Sequence, residues 1–239
     1  MLKCWWLGDE NGKGNFGDFL TPSILEYFNI KYSYINNFKE ADAICVGSIA
    51  RRAMPGGLVL GSGIISEFDR LNANAEWKFV RGPLTRKRVL ECNGNCSEIY
   101  GDPALLLPLI HNPKIAKIND IGYIPHLVDY DIIKKTYTES IHLRTSNYKE
   151  VVDKILKYKK VISSSLHGII VAHAYGIPAA WANTFNGLKG DDIKFKDYFL
   201  SVGITNYVKS TYNNPVFIEP GSIDLTPIIQ IFENEVTKK

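Results

Sequence analysis

Residues 161–178 read Val161-Ile162-Ser163-Ser164-Ser165-Leu166-His167-Gly168-Ile169-Ile170-Val171-Ala172-His173-Ala174-Tyr175-Gly176-Ile177-Pro178 and join a short strand to a helix. Three serines end the β-branched strand, a Leu-His-Gly turn follows, and a glycine and a proline end the apolar helix. A junction of this kind directs a side chain and several backbone N–H groups toward one point above a sheet, which is how α/β proteins hold anionic ligands. The serines could equally act only as helix caps, with His167 at the surface.

Strand and helix patterns alternate along the rest of the chain, which predicts an α/β fold with parallel sheets. The predicted strands are residues 2–7, 32–35, 43–46, 57–60, 78–80, 97–99, 121–125, 141–144, 161–163 and 179–182. The predicted helices are residues 20–28, 84–91, 148–158, 168–175 and 223–236. A polar segment around Pro113 predicts a linker at residues 111–120. We therefore expect two α/β lobes, residues 1–112 and 119–239, with a cleft between them; a single doubly wound sheet is the alternative.

The composition is that of an ordinary globular protein. The 239 residues can form one large domain or two small ones, and 45% of them are hydrophobic and 22% charged. No apolar run approaches the roughly 20 residues of a membrane span, and no signal peptide precedes the first strand, so we expect a cytoplasmic protein. A net charge of +3, spread along the chain, suits a small anionic ligand and argues against nucleic acid as a partner. The four cysteines lack the spacing of a disulfide scaffold or a zinc site.

A glycine-rich segment, Gly12-Lys13-Gly14-Asn15-Phe16-Gly17, follows the first strand. A dinucleotide site would also need an acidic residue about 20 positions later, where the chain has Asn36 and Asn37. We therefore expect this segment to be a loop that faces a substrate. Asp18 stands just before the first helix, where it could stabilise the helix dipole or accept a hydrogen bond from a substrate hydroxyl.

Two further strand ends carry candidate ligand contacts. Gly61-Ser62-Gly63 either lets a ligand approach the backbone closely or forms a tight turn. Arg81 stands before a helix N-terminus, where its guanidinium and backbone donors could meet one carboxylate or phosphate. Asp102 could cap the turn that follows it or hold Arg81 in place.

The histidines provide one more candidate and no metal site. His167 and His173 lie about 240° apart around a helix, so they cannot share a metal ion unaided. His173 lies in an apolar run, which predicts a position in the core. His126 ends a strand of the second half and is the better site candidate. No Ser-His-Asp or His-Glu-x-x-His pattern indicates a hydrolase.

Six segments of the chain occur in an order that is informative when they are taken together. They are Asn15-Phe16-Gly17-Asp18, Gly61-Ser62-Gly63, Arg81-Gly82-Pro83-Leu84-Thr85, Gly101-Asp102-Pro103-Ala104, Ile124-Pro125-His126 and Ser163-Ser164-Ser165-Leu166-His167-Gly168. In this order they resemble the polysaccharide pyruvyl transferase family. The resemblance covers residues 15 to about 178, which is most of the chain.

The resemblance implies an enzyme that moves the enolpyruvyl carbons of phosphoenolpyruvate onto a sugar of a bacterial surface polysaccharide or its lipid-linked precursor, forming a pyruvate ketal and releasing phosphate. It implies two Rossmann-like lobes in a glycosyltransferase-B-like arrangement, no metal, and no cofactor besides phosphoenolpyruvate as co-substrate. The implied partners are phosphoenolpyruvate and an oligosaccharide or lipid-linked acceptor, with at most peripheral contact at the inner face of the membrane. Some relatives have Arg where this chain has Ser165. Arg81 and Arg144 are therefore the candidates for holding the anion of the donor.

The chemistry of ketal formation assigns roles to these residues. The terminal carbon of the donor must receive a proton, and His167 is the predicted general acid. Asp18 or His126 is the predicted acceptor of a hydroxyl proton. The predicted substrate-binding residues are Arg81, Ser164, Ser165, Leu166, Gly168, Gly61, Ser62, Gly63, Arg144 and Asn15.

Two other functions fit the sequence. A glycosyltransferase with a nucleotide-sugar donor would share the same architecture, since fold does not determine function. A glycan-binding module without catalysis would use the aromatic residues, which make up 12% of the chain. Release of phosphate from phosphoenolpyruvate distinguishes pyruvyl transfer from both.

Overall fold

The computed structural model describes residues 1–8, 14–187 and 190–236, apart from the side chain of Glu235. The first residues of the glycine-rich segment, Gly12 and Lys13, lie outside the described residues. The described residues form two five-stranded sheets rather than the single doubly wound sheet that was the alternative. The prediction of an α/β fold with parallel sheets is confirmed.

The first sheet is parallel throughout and has the order β2-β1-β3-β4-β5. Its strands are β1 (Leu2–Trp5), β2 (Tyr32–Tyr34), β3 (Ala43–Ile44), β4 (Leu58–Leu60) and β5 (Glu76–Phe79). Two helices belong to this half, α1 (Leu20–Tyr27) and α2 (Pro83–Glu91). The strand order reverses between β1 and β3, and in sheets of this kind ligands bind beyond the carboxyl ends of the strands at such a reversal.

The second sheet begins with three parallel strands, β6, β7 and β8. The free edge of β8 pairs in parallel with β9 and antiparallel with β10. The strands are β6 (Asn119–Ile124), β7 (Tyr158–Ser163), β8 (Ala179–Ala182), β9 (Lys209–Ser210) and β10 (Phe217–Ile218). The remaining helices are α3 (Leu107–Ile110), α4 (Tyr130–Thr136), α5 (Tyr148–Leu156), α6 (Leu166–Ala174), α7 (Ile193–Ser201) and α8 (Thr226–Ile231), and α8 continues as a π-helical turn, Phe232–Val236.

Two predicted strands are wrong, and several elements were not predicted. Residues 97–99 and 141–144 form no strand; only single bridges involve their surroundings, Trp77 with Cys96, Val80 with Tyr100, and Asn15 with Arg144. The sequence analysis did not predict α3, α4, α7, β9 or β10, which are short or mix polar and apolar residues without a clear period. The last helix begins at Thr226 rather than residue 223, because Pro227 is tolerated only in the first helical turn.

One hydrophobic cluster extends across both halves of the chain. The ring of Phe232, from the C-terminal segment, stacks on Phe28 with 4.8 Å between centroids and meets Phe79 edge-on at 5.8 Å. Helix α6 packs on the 3₁₀ turn Pro103–Leu106, which follows the first sheet. The two sheets therefore share a core, and their carboxyl ends are held at a fixed separation.

A buried ion pair attaches α7 to the first sheet. Arg81 follows β5, and its Nε donates to Asp197 of α7 at 3.1 Å with both side chains fully buried. Its other nitrogens donate to Ser48 Oγ at 2.8 Å and to the carbonyl of Ile64 at 2.7 Å. Asp197 also accepts hydrogen bonds from the backbone N–H groups of residues 84 and 85, at the start of α2. The carboxylate thus satisfies the N-terminus of α2 and the guanidinium at once.

We expect Arg81→Met to lower the free energy of unfolding by about 3–5 kcal/mol, because it leaves the Asp197 carboxylate buried without its cation. Denaturant unfolding at neutral pH measures the change. As a control, Lys154→Met removes the exposed pair with Glu150 on α5 and should cost less than about 1 kcal/mol. Equal losses in the two variants would contradict the structural role of Arg81.

Candidate active site

A small pocket of about 140 Å³ lies where the carboxyl ends of the two sheets meet. Residues that follow β1, β3 and β4 form its first wall, and residues that follow β6 and β7 form its second wall. We call it the inter-sheet pocket. Its lining residues are Leu7, Asn15, Asp18, Ser48, Ile49, Ile65, His126, Ser165, Leu166, His167 and Lys194.

His167 and Asp102 form a buried pair beside this pocket. Nε2 of His167 lies 3.6 Å from Oδ2 of Asp102, too far for a good hydrogen bond but close for two charges. Both atoms are buried, and neither has a hydrogen-bond partner in the described structure. The other oxygen of Asp102 accepts from the backbone N–H of Ala104 at 3.0 Å, which fixes the carboxylate. The imidazole of His167 thus faces a buried carboxylate that is already fixed in place.

The loop after β1 presses against the ring of His167. A Cβ atom on Gly17 would overlap this imidazole, so only glycine permits the approach. The backbone N–H of Phe16 donates to the carbonyl of Leu143 at 2.8 Å, which ties the loop to the second half of the chain. Phe16 itself is fully buried. The orientation of His167 is therefore set by packing from both halves.

Asp18 is a buried carboxylate in the first wall of the pocket, in the loop after β1. Its side chain accepts from Asn15 Nδ2 at 3.2 Å. Burial raises the pKa of Asp18 to about 6, and the charges of His167 and Lys194 and the Asn15 hydrogen bond hold the rise back. Helix α1 has Phe19 at its N-cap with no side-chain hydrogen bond, so Asp18 does not cap this helix. A carboxylate with a pKa in this range can accept and release a proton near neutral pH.

The three serines of the junction differ in their hydrogen bonds. Ser163 Oγ donates to the carbonyl of Ile124 at 2.8 Å and accepts from the N–H of Ser165 at 3.0 Å, which closes the turn. Ser164 Oγ accepts from the N–H of His126 at 2.9 Å. Ser165 is the N-cap residue of α6, yet its side chain makes no capping hydrogen bond. The N-terminus of α6 thus faces the pocket without a side-chain cap, with the positive end of its dipole available to an anion.

His126 follows β6 and lines the same wall of the pocket as the serine junction, in a neutral state. Burial, with the charge of Lys194, lowers its pKa to about 4. Its Nδ1 accepts a hydrogen bond from the N–H of Val128 at 3.3 Å, which places the single ring proton on Nε2. In this tautomer His126 donates a hydrogen bond toward a ligand more readily than it accepts a proton.

Lys194 was not predicted from the sequence. It is the second residue of α7 and lines the pocket beside Asp18 and His126. Burial, with the charge of Arg81, lowers its pKa to about 8. The acidic pair Asp191-Asp192 before it is a helix-start signal that could have indicated α7 and hence this lysine.

Several predicted binding residues lie one layer behind the pocket. Arg81 is completely buried and reaches the pocket lining only through Ser48, its hydrogen-bond partner. Of the two alternatives predicted for Asp102, it caps the turn that follows it, through the N–H of Ala104, and it does not hold Arg81, whose partner is Asp197. Ser164 stands behind His126, as described above.

The remaining predicted contacts also lie outside the lining. A Cβ on Gly61 would meet Pro103, and one on Gly63 would overlap the guanidinium of Arg81. Ser62 Oγ donates to the carbonyl of Cys45 in the core. Gly168 packs against Ser163 and Ile124, and Arg144 is exposed at its single bridge to Asn15.

The described residues contain no group of three His, Cys, Asp or Glu side chains that could hold a metal ion. His173 is a core residue, as predicted: its ring nitrogens lie 3.1 Å from the hydroxyl of Tyr198 and 3.1 Å from the carbonyl of Ile218. Within the same residues, no helix is both long and apolar enough to cross a bilayer.

Comparison with known protein families matches residues 11–184 to polysaccharide pyruvyl transferase. The chain belongs to this family. The match includes every lining residue of the inter-sheet pocket except Leu7 and Lys194. Lys194 therefore belongs to the pocket by structure and lies beyond the segment that the family comparison covers.

Two relatives in this comparison differ in how much their names say. Uncharacterized protein L143 of Acanthamoeba polyphaga mimivirus is 36% identical over 171 residues, 66% of this chain and 59% of the relative. The succinoglycan biosynthesis protein ExoV of Rhizobium meliloti (strain 1021) is 25% identical over 223 residues, 86% of this chain and 66% of the relative. The chain thus spans about three fifths to two thirds of these relatives. No solved structure matches it.

In this pyruvyl transferase family member, we expect Asp18→Asn to raise the free energy of unfolding at neutral pH, by up to about 3 kcal/mol. The folded protein holds the Asp18 proton more tightly than the unfolded chain does, because the pKa is raised from 3.8 to about 6. Asp18 therefore stabilises the fold at acid pH, and this contribution is lost as the pH rises through about 6. In denaturant titrations, the difference in free energy of unfolding between Asp18→Asn and the wild type should grow as the pH rises from 3.8 to about 6.

Asp120→Asn provides a control of opposite sign. A hydrogen bond from Lys159 lowers the pKa of Asp120, so its small stabilisation is present near neutral pH and lost in acid. A difference between Asp18→Asn and wild type that does not change with pH would contradict the assignment for Asp18.

Proposed function

We propose that this protein transfers the enolpyruvyl carbons of phosphoenolpyruvate to a sugar of a surface polysaccharide or its lipid-linked precursor, forming a pyruvate ketal and releasing phosphate. The observation that carries the proposal is the inter-sheet pocket, where a cation, an uncapped helix N-terminus and a histidine–carboxylate pair converge. Membership of the polysaccharide pyruvyl transferase family supports it. The name of ExoV, a succinoglycan biosynthesis protein, supports a polysaccharide as the acceptor.

The donor carries a carboxylate and a phosphate, so its site must supply positive charge and hydrogen-bond donors. Lys194 and the first N–H groups of α6 supply these from two sides of the pocket, and Ser165 Oγ adds a hydroxyl. We assign Arg81, which was the sequence-based candidate, to a supporting role: it fixes Asp197 of α7 and thereby positions Lys194. Arg144 is exposed and outside the lining, so we give it no contact with the donor.

His167 is the proposed acid. It gives a proton to the methylene carbon of the donor, which becomes a methyl group, while the oxygen of one sugar hydroxyl bonds to the adjacent carbon. A second hydroxyl then displaces phosphate, which leaves with the second hydroxyl proton. The buried carboxylate of Asp102 stabilises the protonated imidazole before the transfer.

Asp18 is the proposed base for the first hydroxyl. It ends the step with one proton more and His167 with one fewer, so exchange between them or with solvent restores both. Asp18 suits this task better than His126, whose free lone pair is occupied by the N–H of Val128. His126 is the proposed donor of a hydrogen bond to the substrate.

The small pocket favours phosphoenolpyruvate over a nucleotide sugar. Pockets for larger ligands usually measure about 300–1,000 Å³, whereas this one measures about 140 Å³. We also propose that the two sheets correspond to the two lobes of a glycosyltransferase-B-like arrangement, residues 1–112 and 119–239, with the donor between them and the acceptor reaching the site from the cytoplasm.

Incubation with phosphoenolpyruvate and a panel of lipid-linked oligosaccharides tests the function. We expect release of phosphate together with a glycan whose mass has increased by one pyruvate ketal. Turnover of a nucleotide sugar without phosphate release would establish the glycosyltransferase alternative. Saturable glycan binding with no turnover of either donor would establish a binding module.

We expect Lys194→Met to raise the KM for phosphoenolpyruvate by about tenfold or more, because it removes the cation that faces the donor. Steady-state kinetics measures this, and kcat/KM of the wild type should fall as the pH rises through about 8, where Lys194 loses its charge. Lys196→Met, two residues along α7 and exposed, is the matched control. Equal KM values in both variants would remove Lys194 from the donor site.

We expect His167→Asn to lower kcat by roughly 100-fold or more while the far-UV spectrum and the unfolding midpoint stay close to wild type, because it removes the acid and keeps a polar side chain of similar size. Asp102→Asn should lower kcat less, since it leaves the imidazole in place. If His167→Asn retains near-normal turnover, the acid is another group.

A further inference from the structure

A second cavity, of about 500 Å³, lies next to the inter-sheet pocket at the carboxyl ends of β8 and β9. Three aromatic residues, Tyr137, Phe185 and Tyr212, line it together with asparagine and threonine side chains. No charged residue is found in its lining within the described part of the chain. We call it the aromatic groove.

The rings of the groove form one run with similar inclinations. Tyr212 lies between the other two, 6.1 Å from Tyr137 and 6.2 Å from Phe185 between centroids, with 28° between the ring planes in each case. The hydroxyl of Tyr137 donates to Asn213 Oδ1 at 2.9 Å, which closes one side of the groove. The run ends in Phe185, whose side chain is 63% exposed.

Phe185 is exposed, yet its backbone is firmly held. Its N–H and that of Asn186 donate to the two oxygens of Asp129 at 3.1 and 3.0 Å, and Asp129 is fully buried. The side-chain amide of Asn186 donates to the carbonyl of Val128 at 2.7 Å. A large apolar ring is thus presented to solvent on a fixed support, which is typical of a preorganised binding surface.

The groove chemistry fits a neutral sugar. A pyranose ring presents apolar C–H groups on its faces, which pack on aromatic rings, and hydroxyls at its edge, which need donors and acceptors. Asn183, Asn213 and the threonines offer both. An anionic ligand such as a nucleotide would need a cation, and the described residues that line the groove include none.

A short chain of hydrogen bonds connects the groove with the inter-sheet pocket. The hydroxyl of Tyr212 lies 3.0 Å from Ser164 Oγ, which accepts from the N–H of His126, a lining residue of the pocket. Both cavities open at the same edge of the second sheet. An oligosaccharide with one sugar at the pocket could therefore place another sugar in the groove.

We propose that the aromatic groove binds a neutral pyranose residue of the acceptor glycan, next to the residue that is modified, by stacking on Phe185. The proposal rests on the proposed function for the identity of the glycan as acceptor. The binding itself does not require turnover, so it can be tested without phosphoenolpyruvate.

The test is binding of neutral gluco- and galacto-oligosaccharides, from disaccharide to octasaccharide, to the full chain without phosphoenolpyruvate, measured by calorimetry and ligand-observed NMR. We expect saturable binding by the wild type, a loss of about tenfold in affinity in Phe185→Ala, and recovery in Phe185→Trp. The matched control is Phe68→Ala, which removes another exposed phenylalanine, 76% exposed, that does not line the groove. It should bind as the wild type does.

Each other outcome overturns the proposal. If Phe185→Ala binds the oligosaccharides as tightly as the wild type, or if none of them binds, the groove is not a sugar site, whatever the result of the transferase assay. If oligouronates bind the groove more tightly than the neutral sugars, its ligand is not neutral. Conversely, glycan binding that depends on Phe185 without any pyruvyl transfer would support the groove and reject the proposed function.

Discussion

The contact on which the site depends is that between His167 and the buried carboxylate of Asp102. Asp102 comes from the turn that follows the first sheet, and His167 comes from the start of α6 in the second half of the chain. Burying two ionisable groups without hydrogen bonds between them is costly, so the surrounding structure must hold them in place. It does so through the packing of α6 on the turn Pro103–Leu106, the bond from Ala104 to Asp102 and the close approach of Gly17 to the imidazole.

The same burial gives the pocket its distribution of protons. Exclusion of water raises the pKa of Asp18 and lowers those of His126 and Lys194, so three groups within one small cavity titrate in different ranges. Groups whose environments move their pKa values apart can take different acid and base roles in one reaction. The pocket thus holds a carboxylate, a neutral imidazole and an amine whose pKa values differ from one another.

The sequence predicted the parts of this arrangement that follow local rules. Three residues of the strand–serine–helix junction line the pocket together with Asn15, Asp18 and His126, because residues after parallel strands gather at one edge; the three are Ser165, Leu166 and His167. Arg81 was predicted as a binding residue, and the structure places it one layer behind the pocket. The sequence places Arg81 before a helix whether its guanidinium points to solvent or into the core. The guanidinium points inward because it bonds to Asp197, 116 residues later. Lys194 was not predicted for a similar reason. The sequence signal for α7 is weak, and tertiary contacts determine where this helix lies.

The proposed proton transfer from His167 is tested most directly by following the transferred proton into the product. The transfer reaction is run in deuterium oxide with phosphoenolpyruvate and an acceptor that turns over, and the methyl group of the ketal is examined by NMR and mass spectrometry. We expect one deuterium in that methyl group, because the acid exchanges its proton with solvent. A methyl group without deuterium, or a product that still carries the carbon–carbon double bond of the donor, would contradict the proposed proton transfer.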